Sequence, residues 1–192
     1  MNLATAKYRL TGEAPLKMHN GQLADPFNFY AKEMKKISSK RGKTEADYMV
    51  MAHLEFLGGL YLDKKNEVII PGNVVEAMLK KGATAQKLGK VFSSAVFCEK
   101  DSLLEYKGPR EPEKLWEDVS FRDSSGVRIG PSRIMRMRPI FDKWAVEVEV
   151  MFIPEMVNED QLDQTIDRAG LIVGLCDHRP RYGRFTVKKL KG

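Results

Sequence analysis

Cysteine and histidine are both scarce: the 192 residues hold two cysteines and three histidines. Cys98 and Cys176 lie far apart in apolar stretches, so no disulfide framework is expected and both thiols read as buried in a reducing compartment. No Cys/His cluster has metal-ligand spacing, and no metal or other cofactor is expected. No apolar run approaches the roughly 18 residues of a membrane span, and no basic-then-apolar leader opens the chain. The glycine patterns G-x-G-x-x-G and the P-loop are missing, as is the G-x-S-x-G elbow of serine hydrolases. These absences leave a cytoplasmic, non-membrane globular chain, 43% hydrophobic, expected to form one domain over 1–192.

What is present is base in excess and unevenly placed. Lys and Arg number 32 against 26 Asp and Glu, a formal charge of +6. Residues 32–43 hold six bases and one acid, residues 128–138 four bases and no acid, and residues 179–189 five bases and no acid. Separated clusters of this kind favour a charged face, although a single run is usually only a solvated one.

The hydrophobic pattern changes period along the chain. LATAKYRLTG alternates, with Ala4, Ala6, Tyr8 and Leu10 on one face, and predicts a half-buried strand. Asp25-Pro26 predicts an N-cap with proline at the first helical position, followed by Phe27, Tyr30, Ala31, Met34 and Ile37 at helical spacing. Thr44 predicts the cap of a second helix that stops at Gly58-Gly59. Residues 60–70 read as a small hairpin. Asn73 with Glu76 has the form of a capping box for a third helix. VFSSAVFC (91–98) reads as a second core strand, and DSSG (123–126) as a hairpin turn. WAVEVEVMFI (144–153) alternates most cleanly, with Glu147 and Glu149 facing solvent or paired with lysines. Asn158 and Gln161 form a second capping-box pattern, for a helix expected to end at Gly170, and residues 183–190 close the chain as a strand. With 12–72 and 99–143 set aside as insertions, the order is strand, helix, strand, strand, helix, strand. That order predicts an α+β, ferredoxin-like βαββαβ core, the RRM-like arrangement.

Several residues are candidates for chemistry. His178 needs a hydrogen-bonded partner to act as acid or base; contact with phosphate, or packing on Pro180, are the competing readings. Asp25 is a helix cap or a catalytic carboxylate. The arginines of SRIMRMRP suit phosphate because a guanidinium donates two bonds at once; Arg136 and Arg138 share a face if extended, with Arg133 on the other and Arg128 at the start of the run. Lys40, Arg41 and Lys43 continue a basic helix end into a loop. Three basic runs beside loops point to a nucleic-acid backbone, with phosphate contacts supplying affinity and little sequence choice.

Three stretches carry a resemblance. IIPGNVVEAMLKKGA (69–83) resembles the I-P-G-S-S-L-x-G-x-x-R element of the RAMP superfamily, the ferredoxin-like RNA-binding proteins of CRISPR systems, with Asn73-Val74 in place of Ser-Ser. RLTGEAPLKMH (9–19) is similar to that family's first strand and following loop. AGLIVGLCDHRPRYGRFTV (169–187) is similar to its last helix end, glycine-containing loop and last strand, with Gly174 and Gly183 where the family is richer in glycine. The likeness is strongest to the backbone subunit that polymerises along guide RNA, in a form diverged in a phage or mobile element. The resemblance implies a protein of the prokaryotic host cytoplasm that stacks side by side into a filament on single-stranded RNA or DNA, alone or with other effector-complex subunits. Residues 12–72 would be its finger and 99–143 its thumb, with Arg133, Arg136 and Arg138 along the strand path. Lys17, His19, Asn20 and Asn73 would face phosphates, and His178, Arg179 and Arg181 would serve the same surface. The expectation is binding without catalysis. Two alternatives stand beside it: a metal-dependent ribonuclease using Asp25, and an interaction protein that uses the fold without nucleic acid.

Overall fold

The structure is a computed structural model that describes residues 2–129 and 132–191, with the side chains of residues 127–129 and 132–134 outside the described set. The chain divides into two compact units, one made of residues up to 16, 68–107 and from 141 onward, the other of 17–67 and 108–140. The second unit is thus built from the central parts of the two stretches read as insertions.

The first unit carries the βαββαβ core. Its strands are β1 (Ala4–Gly12), β3 (Ile69–Ile70), β4 (Val96–Phe97), β5 (Ser102–Tyr106), β8 (Trp144–Phe152) and β9 (Phe185–Leu190); its helices are α3 (Gly72–Thr84), α4 (Gly89–Ala95) and α6 (Glu159–Ile172). The sheet runs β3-β5-β8-β1-β9, with β4 also on β8. Every pairing is antiparallel, from Ala4↔Phe152 to Thr11↔Ala145 for β1 and β8, and from Lys7↔Leu190 to Gly12↔Phe185 for β1 and β9. This is the ferredoxin-like order: last strand, first, third, second. Alternation puts Ala6, Tyr8 and Leu10 of β1, and Val146, Val148 and Val150 of β8, into one core with Met78 and Leu79 of α3 and Leu162 and Ile166 of α6. Tyr8 Oη donates to Asp163 of α6 at 2.6 Å, and burial with that carboxylate raises its pKa.

Four sequence expectations are corrected here. Residues 91–98 are not one strand: helix α4 occupies Gly89–Ala95, and only Val96–Phe97 pair with β8. Short apolar runs do not distinguish strand from helix by period, and Phe92 and Ala95 bury at the i, i+3 spacing of a helix. The second core strand therefore comes in two pieces. Val96↔Phe152 gives way to Leu104↔Val146, a slip of two residues, so the second insertion starts after Tyr106 rather than at 99. The slip makes room for the start of α3. Its N-cap is Pro71, without a side-chain cap. Gly72 N–H donates to Asp101 Oδ1 at 3.0 Å, and Glu76 Oε1 accepts from Cys98 N at 2.7 Å, so Asn73 and Glu76 form no capping box. A Cβ at Gly72 would overlap the Cys98 carbonyl. Finally, α6 does not stop at Gly170, which is buried inside it against the Phe185 carbonyl; the stop is Gly174, at φ 77°, whose N–H donates to Ala169 O at 2.8 Å. The Asn158–Gln161 capping box forms as expected.

The second unit joins helices α1 (Phe29–Ser38), α2 (Glu45–Gly59) and α5 (Pro112–Glu117) to a sheet in the order β2-β7-β6, where β2 is Leu16–Lys17, β6 Arg122–Ile129 and β7 Ser132–Phe141. Thr44 caps α2 in a capping box with Asp47, and Gly59 ends it, as the sequence predicts. The cap of α1 is Asn28, which accepts from Tyr30 N; Asp25 instead closes a turn by accepting from Phe27 N at 2.9 Å. The DSSG segment is not a turn. It lies within β6, paired from Arg122↔Pro139 to Ile129↔Ser132, because the register keeps Ser124 opposite Met137. Trp116 of α5 packs edge-on to Phe56 and against His53, with Arg122 4.6 Å above its ring.

Candidate nucleic-acid interface

The open face of the first unit's sheet is where an RRM-like fold would lay a single strand. Here that face is a ladder of paired charge. Arg9 sits between Glu105, at 2.5 Å, and Glu147, at 3.1 Å. Glu149 accepts from Lys100 at 2.8 Å and lies 3.7 Å from Lys7. These partners hold the Glu105 and Glu149 carboxyls below the ordinary carboxylate value. A hollow of about 530 Å³ on this face is lined by Lys7, Lys100, Leu103, Glu105 and Glu149 among others, with no aromatic ring among its lining residues. Four lining carboxylates, Asp101, Glu105, Glu147 and Glu149, and no ring to stack on make the hollow unsuited to a polyanion. Glu147 and Glu149 are therefore paired, as read from the sequence, and with an arginine as well as lysines.

The loop between α6 and β9 has the opposite character. Leu175 N–H donates to Gly183 O at 2.8 Å, Gly183 N–H to Pro15 O at 2.8 Å, and Tyr182 N–H to His178 O at 3.2 Å, so the loop is pinned at base and tip. Four of its residues have left-handed φ: Gly174, Cys176 (59°), His178 (55°) and Gly183. A Cβ at Gly183 would overlap the Leu175 carbonyl. The loop thus needs the backbone that glycine adopts freely, and at Cys176 and His178 it imposes that backbone on side-chain-bearing residues. Arg179, Arg181 and Arg184 are exposed, and among the described residues none has a carboxylate within ion-pair distance. The Arg181 guanidinium lies 6.0 Å from the Tyr182 ring centre, and the His178 ring 6.1 Å from it. Burial pushes the Cys176 thiol up to about 12, which keeps it from acting as a thiolate. Tyr182 was missed in the sequence; its signal is an aromatic ring set between Arg181 and Arg184.

The other sequence candidates are scattered. Lys17 is 1% exposed, so it does not face a ligand: Nζ pairs with Asp123 at 2.6 Å and donates to Ser125 at 2.9 Å. Asn20 caps a short 3₁₀ turn through Oδ1 and donates from Nδ2 to Leu60 O. Arg138 is 6% exposed and Arg136 pairs with buried Glu55 at 3.1 Å, whose other oxygen accepts from Met137 N. These two arginines therefore build the unit rather than project from it. With His19, Met34 and Glu55 they line a cavity of about 320 Å³. The side chains of Arg128 and Arg133 lie outside the described residues. Asn73 is exposed on α3. Lys40 pairs with Asp47 at 2.7 Å and Lys43 donates to Lys40 O, while Arg41 is exposed with no ion pair among the described residues. Among the described residues no group of three or more His, Cys, Asp or Glu is placed to hold a metal ion, and no helix is long and apolar enough to cross a membrane.

No protein-family model matches the chain, and no curated protein matches it. Among solved structures, a crystal structure of Cmr6 from Pyrococcus furiosus is similar over 97% of this chain and 99% of that one, at a TM-score of 0.41 and 10% identity. A similarity of that degree assigns no ligand.

Proposed function

We propose that the chain is a sequence-tolerant binder of single-stranded nucleic acid that grips the phosphate backbone, performs no chemistry on it, and assembles side by side along it. One observation carries this reading. While Lys7, Arg9 and Lys100 on the sheet face are matched to carboxylates, the loop 174–184 holds three exposed arginines with no ion pair among the described residues, around Tyr182 and His178. Guanidinium groups left unmatched on a backbone pinned at both ends suit phosphate oxygens, and a tyrosine beside them suits an unstacked base. The resemblance of 69–83 and 169–187 to RAMP-superfamily elements supports the same ligand class and the side-by-side assembly.

The test is fluorescence anisotropy with labelled single-stranded RNA and DNA of mixed sequence, titrated across salt. Affinity should fall with salt along a log–log line, and Arg179→Ala/Arg181→Ala/Arg184→Ala should weaken binding to every sequence and flatten the slope by about two to three. Binding that ignores salt, or a triple variant that binds like the wild type, overturns the reading. Sedimentation with and without a long oligonucleotide tests assembly: growth only with nucleic acid is expected, and a closed oligomer indifferent to it contradicts the proposal.

A further inference from the structure

The first helix of the second unit has no buried residue along its ten positions. Large rings nevertheless stand in water at its entry: Phe27, just before the Asn28 cap, is 80% exposed, and Phe29, its first residue, 64%. Phenylalanine has no polar group to satisfy there, so exposure of two rings two residues apart needs a cause. The rings are organised. Phe29 meets Tyr30 edge-on at 5.5 Å, and Lys32 Nζ lies 5.8 Å from the centre of the Phe27 ring. The cations continue along the helix. Lys36 is matched to Glu33, while Lys35, exposed with no ion pair among the described residues, lies about 120° around the helix from Phe29.

We infer that Phe27 and Phe29 are stacking platforms for the bases of a single strand, with Lys32 beside them for its phosphates. The inference rests on the proposed function and names what that reading leaves open: the ligand is held by its bases as well as its backbone. Exposed rings with a lysine beside them are complementary to a chain that alternates planar apolar faces with negative charge. Every base offers a π-face, so such a platform adds affinity without choosing sequence. The face is short for an interfacial membrane helix, and only its first turn presents large apolar groups.

The experiment compares two strands of equal charge, a dT 20-mer and an abasic 20-mer, by anisotropy at one salt concentration. Phe27→Ala/Phe29→Ala should weaken the dT complex about tenfold or more and leave the abasic complex within about twofold, since stacking is worth about 1–3 kcal/mol per base. The loop variant Arg179→Ala/Arg181→Ala/Arg184→Ala should weaken both. Phe27→Trp should keep dT affinity and show indole quenching on dT but not on the abasic strand. A double variant that binds dT as the wild type does, or loses both strands equally, overturns stacking while leaving backbone binding in place. Wild-type protein that binds neither strand overturns both readings. Phosphatidylserine vesicles are the third arm: binding to them, lost in the phenylalanine double variant, would assign the rings to a lipid surface and overturn the inference.

Discussion

Lys17 Nζ and Asp123 Oδ2 stand 2.6 Å apart, with the lysine side chain 2% exposed and the aspartate 22%. Ser125 takes a second proton of the same ammonium and itself donates to Asp123. Removing that carboxylate would take the counter-ion at 2.6 Å from a buried ammonium. Asp123→Ala should therefore destabilise the protein by about 3 kcal/mol, whereas Lys17→Met/Asp123→Leu should recover much of the loss. Urea unfolding of the two variants measures this. Folded Lys17→Met protein should bind single strands as the wild type does, because the ammonium faces no ligand.

His178 and Cys176 hold left-handed backbone angles that cost a side-chain-bearing residue about 1–2 kcal/mol. His178→Gly should raise the melting temperature, by about 2–4 °C for each kcal/mol relieved, less the cost of glycine's freedom in the unfolded chain. Gly183→Ala should do the reverse and more, since its Cβ would overlap the Leu175 carbonyl. Equal melting temperatures for wild type and Gly183→Ala would contradict the conformation of the loop.

How much of this was legible follows the physics of each signal. Strand β8, the Thr44 cap of α2 and the capping box of α6 were readable because alternation and cap chemistry are local. The interrupted second strand was not, because the slip between Phe97 and Leu104 answers to the start of α3, far away in sequence. The basic clusters were visible as composition, but composition does not tell an ammonium facing Asp123 from a guanidinium facing water. Lys17, Arg136 and Arg138 thus read as ligand contacts and fold as structure, while Phe27, read as part of a helix's apolar spacing, stands in solvent.

Acid should loosen the molecule in a defined window. Asp47 is lowered to about 2 by Lys40 and by the Thr44 backbone N–H, and Glu105 and Glu149 are lowered by Arg9 and Lys100. A carboxyl depressed in the fold binds its proton more readily when unfolded. Its contribution is therefore complete above the ordinary carboxylate range and lost as pH falls toward the folded value. The melting temperature should hold from neutral pH to about 5 and then decline toward pH 2, with salt softening the decline because Glu105 is exposed and Asp47 and Glu149 are partly so. Asp47→Asn should start lower at pH 7 and lose less on acidification. An acid profile identical to that of the wild type would contradict the pairing of Asp47 with Lys40.

The charge ladder gives a negative control with a sign. Arg9 faces Glu105 and Glu147 on the open sheet face, so Arg9→Ala removes a base from the chain yet exposes two carboxylates on that face. If strands bind at the loop 174–184, affinity should change less than twofold, well under the loss from any one loop arginine. A drop as large as that of Arg181→Ala would move the strand path onto the sheet face.

Asp25 separates binding from cleavage. Its carboxylate is occupied by the Phe27 N–H, and no second acid joins it in a metal-holding group among the described residues. A ribonuclease built on one aspartate would still place a divalent ion there, so the assay must supply one. Labelled RNA incubated with the wild type and Mg²⁺ or Mn²⁺ should remain intact for hours, and Asp25→Ala should bind it with unchanged affinity. Cleavage by the wild type that is lost in Asp25→Ala, with binding retained, would make this chain an enzyme and give Asp25 the role of metal ligand in place of turn closure.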